Sequence, residues 1–230
     1  MSDQSIKLVV HGDDRPTARD FTIGTLIIAG WTGRDAASLE AHIVELEELG
    51  VTRPNAVPMF YRVDAGLLTT AGTVQMVGRE ASGEVESVLI KQDGELFVGV
   101  GSDHTDRKLE TVGITLSKQL CAKPIADQVW RWADVAGHWD SIMLRSHLPA
   151  SDEPYQQGPT TALRRPDELL AIYEERHGPV PDGTAMFCGT LPAEGGIRFA
   201  PAMLLELHDP VLGRTIAHSY VVDVLPIAED

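Results

Sequence analysis

The sequence predicts an α+β fold that is mainly β. Short β-branched runs recur along the chain, helical periodicity is confined to a few stretches, and strands and helices never alternate in the order of a doubly wound sheet. Residues 6–10 and 21–29 are the first two strand candidates, with turn residues from Gly12 to Pro16 between them. Residues 38–49 place Leu39, Ile43, Leu46 and Leu49 on one helical face, with Ser38 as a cap and Gly50 as a stop. Pro54 and Pro58 keep residues 53–63 extended. Residues 73–77, 84–91 and 95–100 read as strands, and Asp93-Gly94 is a hairpin turn between the last two. Residues 106–121 start as a helix that Gly113 weakens. Residues 127–142 hold Trp130, Trp132 and Trp139, expected in the core or at a dimer interface because large aromatics contribute most through burial. Residues 151–159 are polar, carry two prolines and read as a loop. Pro166-Asp167-Glu168 starts a helix over 166–175 that ends near Gly178. The remainder, 183–226, is β-rich with turns at Glu194-Gly195-Gly196 and Asp209-Pro210.

A chain of 230 residues suits one domain with a sizeable core. Its 34 acidic and 19 basic residues give a formal charge of −15, which repels phosphate backbones and anionic lipids. Nucleic acid and membrane surfaces are therefore excluded as expected partners, and an anionic ligand needs a local positive patch or a bound cation. Cys121 and Cys188 form no Cys-x-x-Cys motif. Met1-Ser2-Asp3-Gln4 has no basic segment followed by a long apolar run, so a reduced, cytoplasmic location is expected.

Four constellations can carry chemistry. In Gly83-Glu84-Val85-Glu86 the two glutamates, two residues apart on a strand, share a face with Val88 and Ile90. Paired carboxylates on a half-buried face repel and lose hydration, a cost that a hard divalent cation removes. A solvent-facing acidic strand has the same pattern. Gly101-Ser102-Asp103-His104-Thr105-Asp106-Arg107 follows a strand directly. Asp103 could add a third oxygen ligand, and Arg107 could hold a carboxylate; an acid-capped helix start is the alternative. His42 and Glu45, three apart on the first helix, could act as an oriented general base or be a plain surface pair. Lys123 lies in an apolar setting, either as a buried cation facing a carboxylate or an enolate, or as a snorkelling surface residue. No P-loop, His-Glu-x-x-His or Gly-x-Ser-x-Gly motif is present.

In order along the chain, Gly30-Trp31-Thr32-Gly33, His42-Ile43-Val44-Glu45, Val57-Pro58-Met59-Phe60-Tyr61-Arg62, Glu84-Val85-Glu86, Asp103-His104-Thr105-Asp106-Arg107, Ala122-Lys123-Pro124 and Gly189-Thr190-Leu191-Pro192 resemble the motifs of the fumarylacetoacetate hydrolase superfamily. The resemblance spans roughly residues 22–220, and the chain is also similar to bacterial proteins grouped as domain of unknown function 2848. Three departures stand out: a shorter link between Glu86 and Asp103, Gly-Thr-Leu-Pro for Gly-Thr-Pro, and Arg62 where lysine is usual. The resemblance implies a mixed β-roll with a few peripheral helices. It implies one catalytic domain over 1–230, with an N-terminal strand and turn in 1–20 and a lid helix in 31–50, usually as a homodimer. It implies Mg²⁺ or Mn²⁺ on Glu84, Glu86 and Asp103, catalytic roles for His42, Glu45 and Lys123, and substrate contacts from Tyr61, Arg62, Arg107 and Thr190. The implied activity is C–C bond hydrolysis or decarboxylation of a small 2-oxo or β-diketo acid through a metal-stabilised enolate. An isomerase or hydratase on the same scaffold, or a non-catalytic oxo-acid-binding protein, is the alternative.

Overall fold

The computed structural model describes residues 3–12, 15–48, 53–149, 151 and 153–228, with the backbone alone for residues 38, 42 and 45–48. Strand β1 (Gln4–His11) pairs antiparallel with β2 (Thr17–Ile23), and β3 (Thr25–Gly30) follows. The expected single strand over 21–29 is thus two, because Gly24 donates its N–H to the Gly183 carbonyl at 2.9 Å and the chain changes partners there. Helix α1 (Ala36–Glu48) starts earlier than expected, with the Leu39 N–H on the Asp35 carbonyl, so Ser38 lies inside the first turn and does not cap it. Leu49 and Gly50 lie outside the described residues. Next come β4 (Met59–Val63), β5 (Leu68–Thr69), β6 (Thr73–Val77) and β7 (Ala81–Ser82).

Strands β8 (Val85–Gln92) and β9 (Glu95–Ser102) form the expected hairpin. Asp93 and Gly94 both have positive φ, 53° and 74°, the handedness that a two-residue turn needs to match strand twist. After β10 (Thr105–Asp106), the expected helix over 106–121 breaks at Gly113 into α2 (Arg107–Glu110) and α3 (Ile114–Gln119). Then follow β11 (Lys123–Pro124), β12 (Gln128–Arg131), α4 (Trp132–Val135), β13 (Met143–His147) and β14 (Gln156–Pro159). Strand β14 falls where the sequence suggested only a loop, because its backbone pairs with β13 from Gln156 to Pro159. Helix α5 (Pro166–His177) has proline in its first turn and ends at Gly178, φ 88°. Strands β15 (Thr184–Thr190), β16 (Ala202–Asp209) and β17 (Arg214–Leu225) complete the fold.

Eight strands form one mixed sheet in the order β2-β1-β12-β9-β8-β15-β3-β4, and five form a second, β14-β13-β16-β17-β6. Strand alternation sends side chains of the large sheet to two separate cores. Leu26, Ile28, Val88, Ile90, Phe97 and Phe187 meet Ile6, Leu8 and Phe21 from one edge and Val63 from the other, so the sheet curls around this core. Ile27, Ala29, Leu89, Val98 and Met186 face the other way, onto Leu144, Leu205, Leu207 and Ile216 of the second sheet and Leu169 of α5. The result is a mainly β roll with peripheral helices. Trp130, Trp132 and Trp139 are buried in the second core. Among the described residues no helix is long and apolar enough to cross a membrane.

Candidate metal centre and its cavity

The carboxylates of Glu84, Glu86 and Asp103 converge, each offering an oxygen, with all three oxygens within 4.8 Å of one another. The hairpin makes this happen. Glu86 pairs with Gly101 across β8 and β9, and the Asp103 N–H bonds the Glu84 carbonyl at 3.0 Å just beyond the strand ends. Glu86 is 2% exposed and Asp103 fully buried, whereas Glu84 is half-buried. Glu84 and Glu86 line a cavity of about 600 Å³ whose walls also include Arg107, Lys118, Thr190 and Tyr61, and Asp103 lies behind them.

Each carboxylate is held. Arg107 Nη2 forms an ion pair with Glu84 Oε1 at 3.0 Å, while its Nε donates to Ser82 at 2.7 Å and its Nη1 to Glu110 at 3.0 Å. The Gly189 N–H donates to Glu86 Oε2 at 2.7 Å. Gly189 has φ 95°, and a Cβ there would overlap Thr32 Oγ1, so only glycine brings its N–H to this carboxylate. Asp103 lies between two lysines: Lys118 bonds its Oδ2, and Lys123 Nζ is 3.3 Å from its Oδ1.

The charges are unevenly shared. Burial first, then the neighbouring Asp103 and Glu84, push the Glu86 carboxyl well above the usual carboxylate range. Burial also pushes Asp103 up, but the two lysines outweigh it and hold its carboxyl below the usual value. Lys118 overcomes burial and is raised, because it faces Asp103, Glu84 and Glu86. Burial lowers Lys123, and the neighbouring Asp103 offsets this only in part. Three hard oxygen donors suit Mg²⁺ or Mn²⁺, and a dication would offset the burial and the neighbouring carboxylates that raise the Glu86 carboxyl.

The sequence-expected residues divide. Glu84, Glu86, Arg107, Tyr61 and Thr190 meet at one cavity, and Asp103 joins the two glutamates from behind its wall. Arg107 serves there to fix Glu84. Thr190 Oγ1 donates to the Val85 carbonyl at 2.8 Å. Lys123 is enclosed behind Asp103, donating to the carbonyls of His104, Lys118 and Cys121 at 2.7, 2.6 and 3.0 Å, and is not part of the cavity wall. Arg62 points away from the cavity: it alternates with inward-facing Tyr61 on β4 and reaches the Tyr173 hydroxyl and Thr25 on the outer face. The side chains of His42 and Glu45 lie outside the described residues; α1 itself contributes Leu39 to the cavity.

Two contributors were missed from sequence. Lys118 is the lysine that lines the cavity, brought there because α3 starts at Gly113 and turns it back onto Asp103; its position in a short helix after Asp103 was the available signal. Gln156 accepts the Val85 N–H at 2.9 Å and donates to Thr190 Oγ1 at 2.8 Å and the Leu191 carbonyl at 2.6 Å, tying the glutamate strand to the 189–192 turn. Nothing local in its loop-like segment marks it.

His104 faces away from the cluster, its Nδ1 3.0 Å from the Tyr220 hydroxyl. Burial, then Lys123 and Arg107, depress its ring from 6.5 to about 3, so it is neutral in the fold. An unfolded chain takes up that proton near the ordinary value. Its contribution to stability is therefore complete above 6.5 and is lost as pH falls toward about 3. Urea midpoints measured from pH 7 to 4 should fall in the parent chain and fall less in His104→Phe; equal slopes would refute this. The comparison of the two chains cancels the opposing titration of Glu86.

A family model described as "Protein of unknown function (DUF2848)" matches residues 29–220. No curated protein matches the sequence. Among solved structures, a protein from Oleispira antarctica provisionally described as a fumarylacetoacetate isomerase/hydrolase superposes with a TM-score of 0.67 at 17% identity, covering 94% of this chain and 99% of that one. A fumarylpyruvate hydrolase from Pseudomonas aeruginosa, in complex with Mn²⁺ and pyruvate, gives 0.64 at 18% identity, covering 96% and 97%. A 2-keto-3-deoxy-D-arabinonate dehydratase complexed with magnesium and 2,5-dioxopentanoate gives 0.62 at 15% identity, covering 91% and 77%. The fold is the β-roll of these proteins.

Proposed function

The chain belongs to the DUF2848 family, and on that premise we propose that it is a divalent-metal-dependent enzyme acting on a small 2-oxo or β-diketo acid, cleaving a C–C bond by hydrolysis or decarboxylation. The observation that carries this reading is the convergence of Glu84, Glu86 and Asp103 beside a cavity that also holds a lysine. Metal-bound relatives of the same fold, one with pyruvate and one with 2,5-dioxopentanoate, support it.

Glu84, Glu86 and Asp103 would hold Mg²⁺ or Mn²⁺. What such an ion supplies when bound is Lewis acidity toward the oxygens of a 2-oxo acid. Arg107 keeps Glu84 in place and the Gly189 N–H keeps Glu86 in place, so the donor set is pre-organised. The Lys118 ammonium, at the cavity wall, donates to the oxygen on which enolate charge develops. Lys123 holds Asp103 from behind. Tyr61 and the Thr190 hydroxyl lie at the same cavity and orient the substrate. His42 and Glu45 move the proton, or activate the water, that decides between hydrolysis and decarboxylation. Homodimerisation and a cytoplasmic location, both implied by the resemblance, belong to the same proposal.

The dehydratase among the similar structures favours a second reading, in which the same enolate chemistry expels water without C–C cleavage. Product analysis separates the two. Protein stripped with a chelator and reloaded with Mg²⁺ or Mn²⁺ is assayed on oxaloacetate, acylpyruvates and 2-oxo sugar acids. Metal-dependent turnover of the first two classes is expected; a protein inert on all three with either metal overturns the proposal. Lys118→Met should lower turnover by about 10²–10³-fold, the loss typical of one preorganised donor to a developing oxyanion, with metal affinity retained. Unchanged turnover would remove Lys118 from the mechanism.

A further inference from the structure

The Thr190 hydroxyl can make three hydrogen bonds, one as donor and two as acceptor. Two are already made inside the protein. Its proton goes to the Val85 carbonyl at 2.8 Å, and one lone pair takes an N–H from Gln156 at 2.8 Å. The directions are forced. The Gln156 amide oxygen accepts from the Val85 N–H at 2.9 Å and from the Ser146 hydroxyl at 3.1 Å, while its nitrogen donates to the Leu191 carbonyl at 2.6 Å. Turning the amide over would set its nitrogen against the Val85 N–H and its oxygen against the Leu191 carbonyl. Val85 has no solvent exposure and Gln156 is buried, so the Thr190 proton cannot turn to a ligand without taking a donor from a buried carbonyl.

Thr190 is half-buried on the cavity wall and pairs with Glu86 in the strand register. What its hydroxyl still has to offer is one lone pair, so it accepts from a ligand and does not donate. A 2-oxo or β-diketo acid brings acceptors, its carboxylate and its carbonyls. The groups that match those are the cation, the Lys118 ammonium and the Tyr61 hydroxyl. Water brings donors. A water held by one proton on Thr190 and by the other on a general base keeps a lone pair free for a carbonyl carbon.

We infer that the substrate Thr190 orients is the water of the hydrolysis, held by its O–H on the Thr190 oxygen, and that the Thr190 hydroxyl does not bond the oxo acid. This rests on the metal-dependent reading above and adds the place of the water. The water oxygen bonds to the acyl carbonyl carbon and one water proton passes to the base. The C–C bond breaks, its electron pair passes to the enolate of the 2-oxo acid, and the base returns its proton to the enolate carbon. The other water proton stays with the carboxylic acid product.

Thr190→Val, and Thr190→Ser, which keeps the hydroxyl, test this in the full chain loaded with Mg²⁺; Thr190→Ala replaces the first if valine prevents folding. Hydrolysis of 2,4-dioxopentanoate should fall about tenfold or more in kcat with Thr190→Val, at the parent KM, and recover with Thr190→Ser. Decarboxylation of oxaloacetate, which adds no water to a carbonyl, should fall clearly less. Calorimetric titration should give Thr190→Val the parent's affinity for Mg²⁺ and, once loaded, for pyruvate. A tenfold loss of pyruvate affinity would mean that Thr190 bonds the oxo acid, and overturns the inference. Equal losses in the two reactions would mark a role in shape alone and overturn it as well. A parent chain that decarboxylates oxaloacetate and does not hydrolyse 2,4-dioxopentanoate overturns it while leaving the metal-dependent reading standing. Absence of Mg²⁺ binding, or of turnover with either substrate, defeats the underlying reading and this inference with it.

Discussion

Glu86→Gln is expected to lower Mg²⁺-dependent turnover by about 10³-fold, a loss of roughly 4 kcal/mol of transition-state stabilisation. Glutamine fills the same space, and its amide oxygen still accepts the Gly189 N–H that Glu86 Oε2 accepts at 2.7 Å. The shape of the site survives while one of three negative ligands is lost. Stability should move the other way. The Glu86 carboxyl is raised well above its ordinary 4.5 in the fold, so its contribution is fully present below that value and is lost as pH rises through the folded one. Metal-free parent protein should therefore lose stability on going from mildly acid to neutral pH, and the glutamine variant should resist that loss. Saturating Mg²⁺ should give the parent chain the same resistance. Thermal melts with and without Mg²⁺, beside kcat on the best substrate, check both halves. A variant that keeps turnover and Mg²⁺ affinity would remove the carboxylate triad as the metal site.

The second large effect is on folding. Lys123→Met should destabilise the protein by about 3–5 kcal/mol, the range for removing one partner of a buried ion pair. Lys123 is fully buried, and its ammonium satisfies three backbone carbonyls besides Asp103. Methionine fills the stem's volume but removes this donor from the His104 and Cys121 carbonyls and leaves Asp103 with Lys118 alone. A fall in Tm of about 10 °C is expected for a chain of this size. Lys118→Met, whose side chain lines the cavity and bonds no carbonyl, should cost clearly less stability and more activity. If Lys123→Met melts with the parent chain, the ammonium is not holding the 118–123 turn together.

The contrast between these two lysines shows where sequence reading succeeds. Strand periodicity alone puts Glu84 and Glu86 on one face, and the position of Asp103 just past a strand end makes it the natural third ligand. The Asp93-Gly94 turn was equally legible, because its backbone handedness is written in two residues. Lys118 was passed over for Lys123 because a lysine's direction here depends on where α3 begins, and Gly113 sets that start through tertiary context. Gln156 was illegible for a stronger reason: its partners Val85, Thr190 and Leu191 are distant in the chain, and nothing in residues 151–159 announces pairing with β13. Arg62 illustrates the same limit on a smaller scale. Its neighbour Tyr61 faces the cavity, and strand alternation then obliges Arg62 to face outward.

The hairpin that presents Glu86 and Asp103 has its tight turn at the opposite end, at Asp93-Gly94 on the surface. Every pair from Gln92 and Glu95 inward counts from that turn, in steps that alternate between two cores. Lengthening the turn by one residue while β8 stays in place would slide β9 by one step. Phe97 would swap cores with its neighbours, and Asp103 would leave Glu86. The part of the surface that loops usually leave open to insertion is here a ruler, and its marks must stay fixed for the far end to hold three oxygens together.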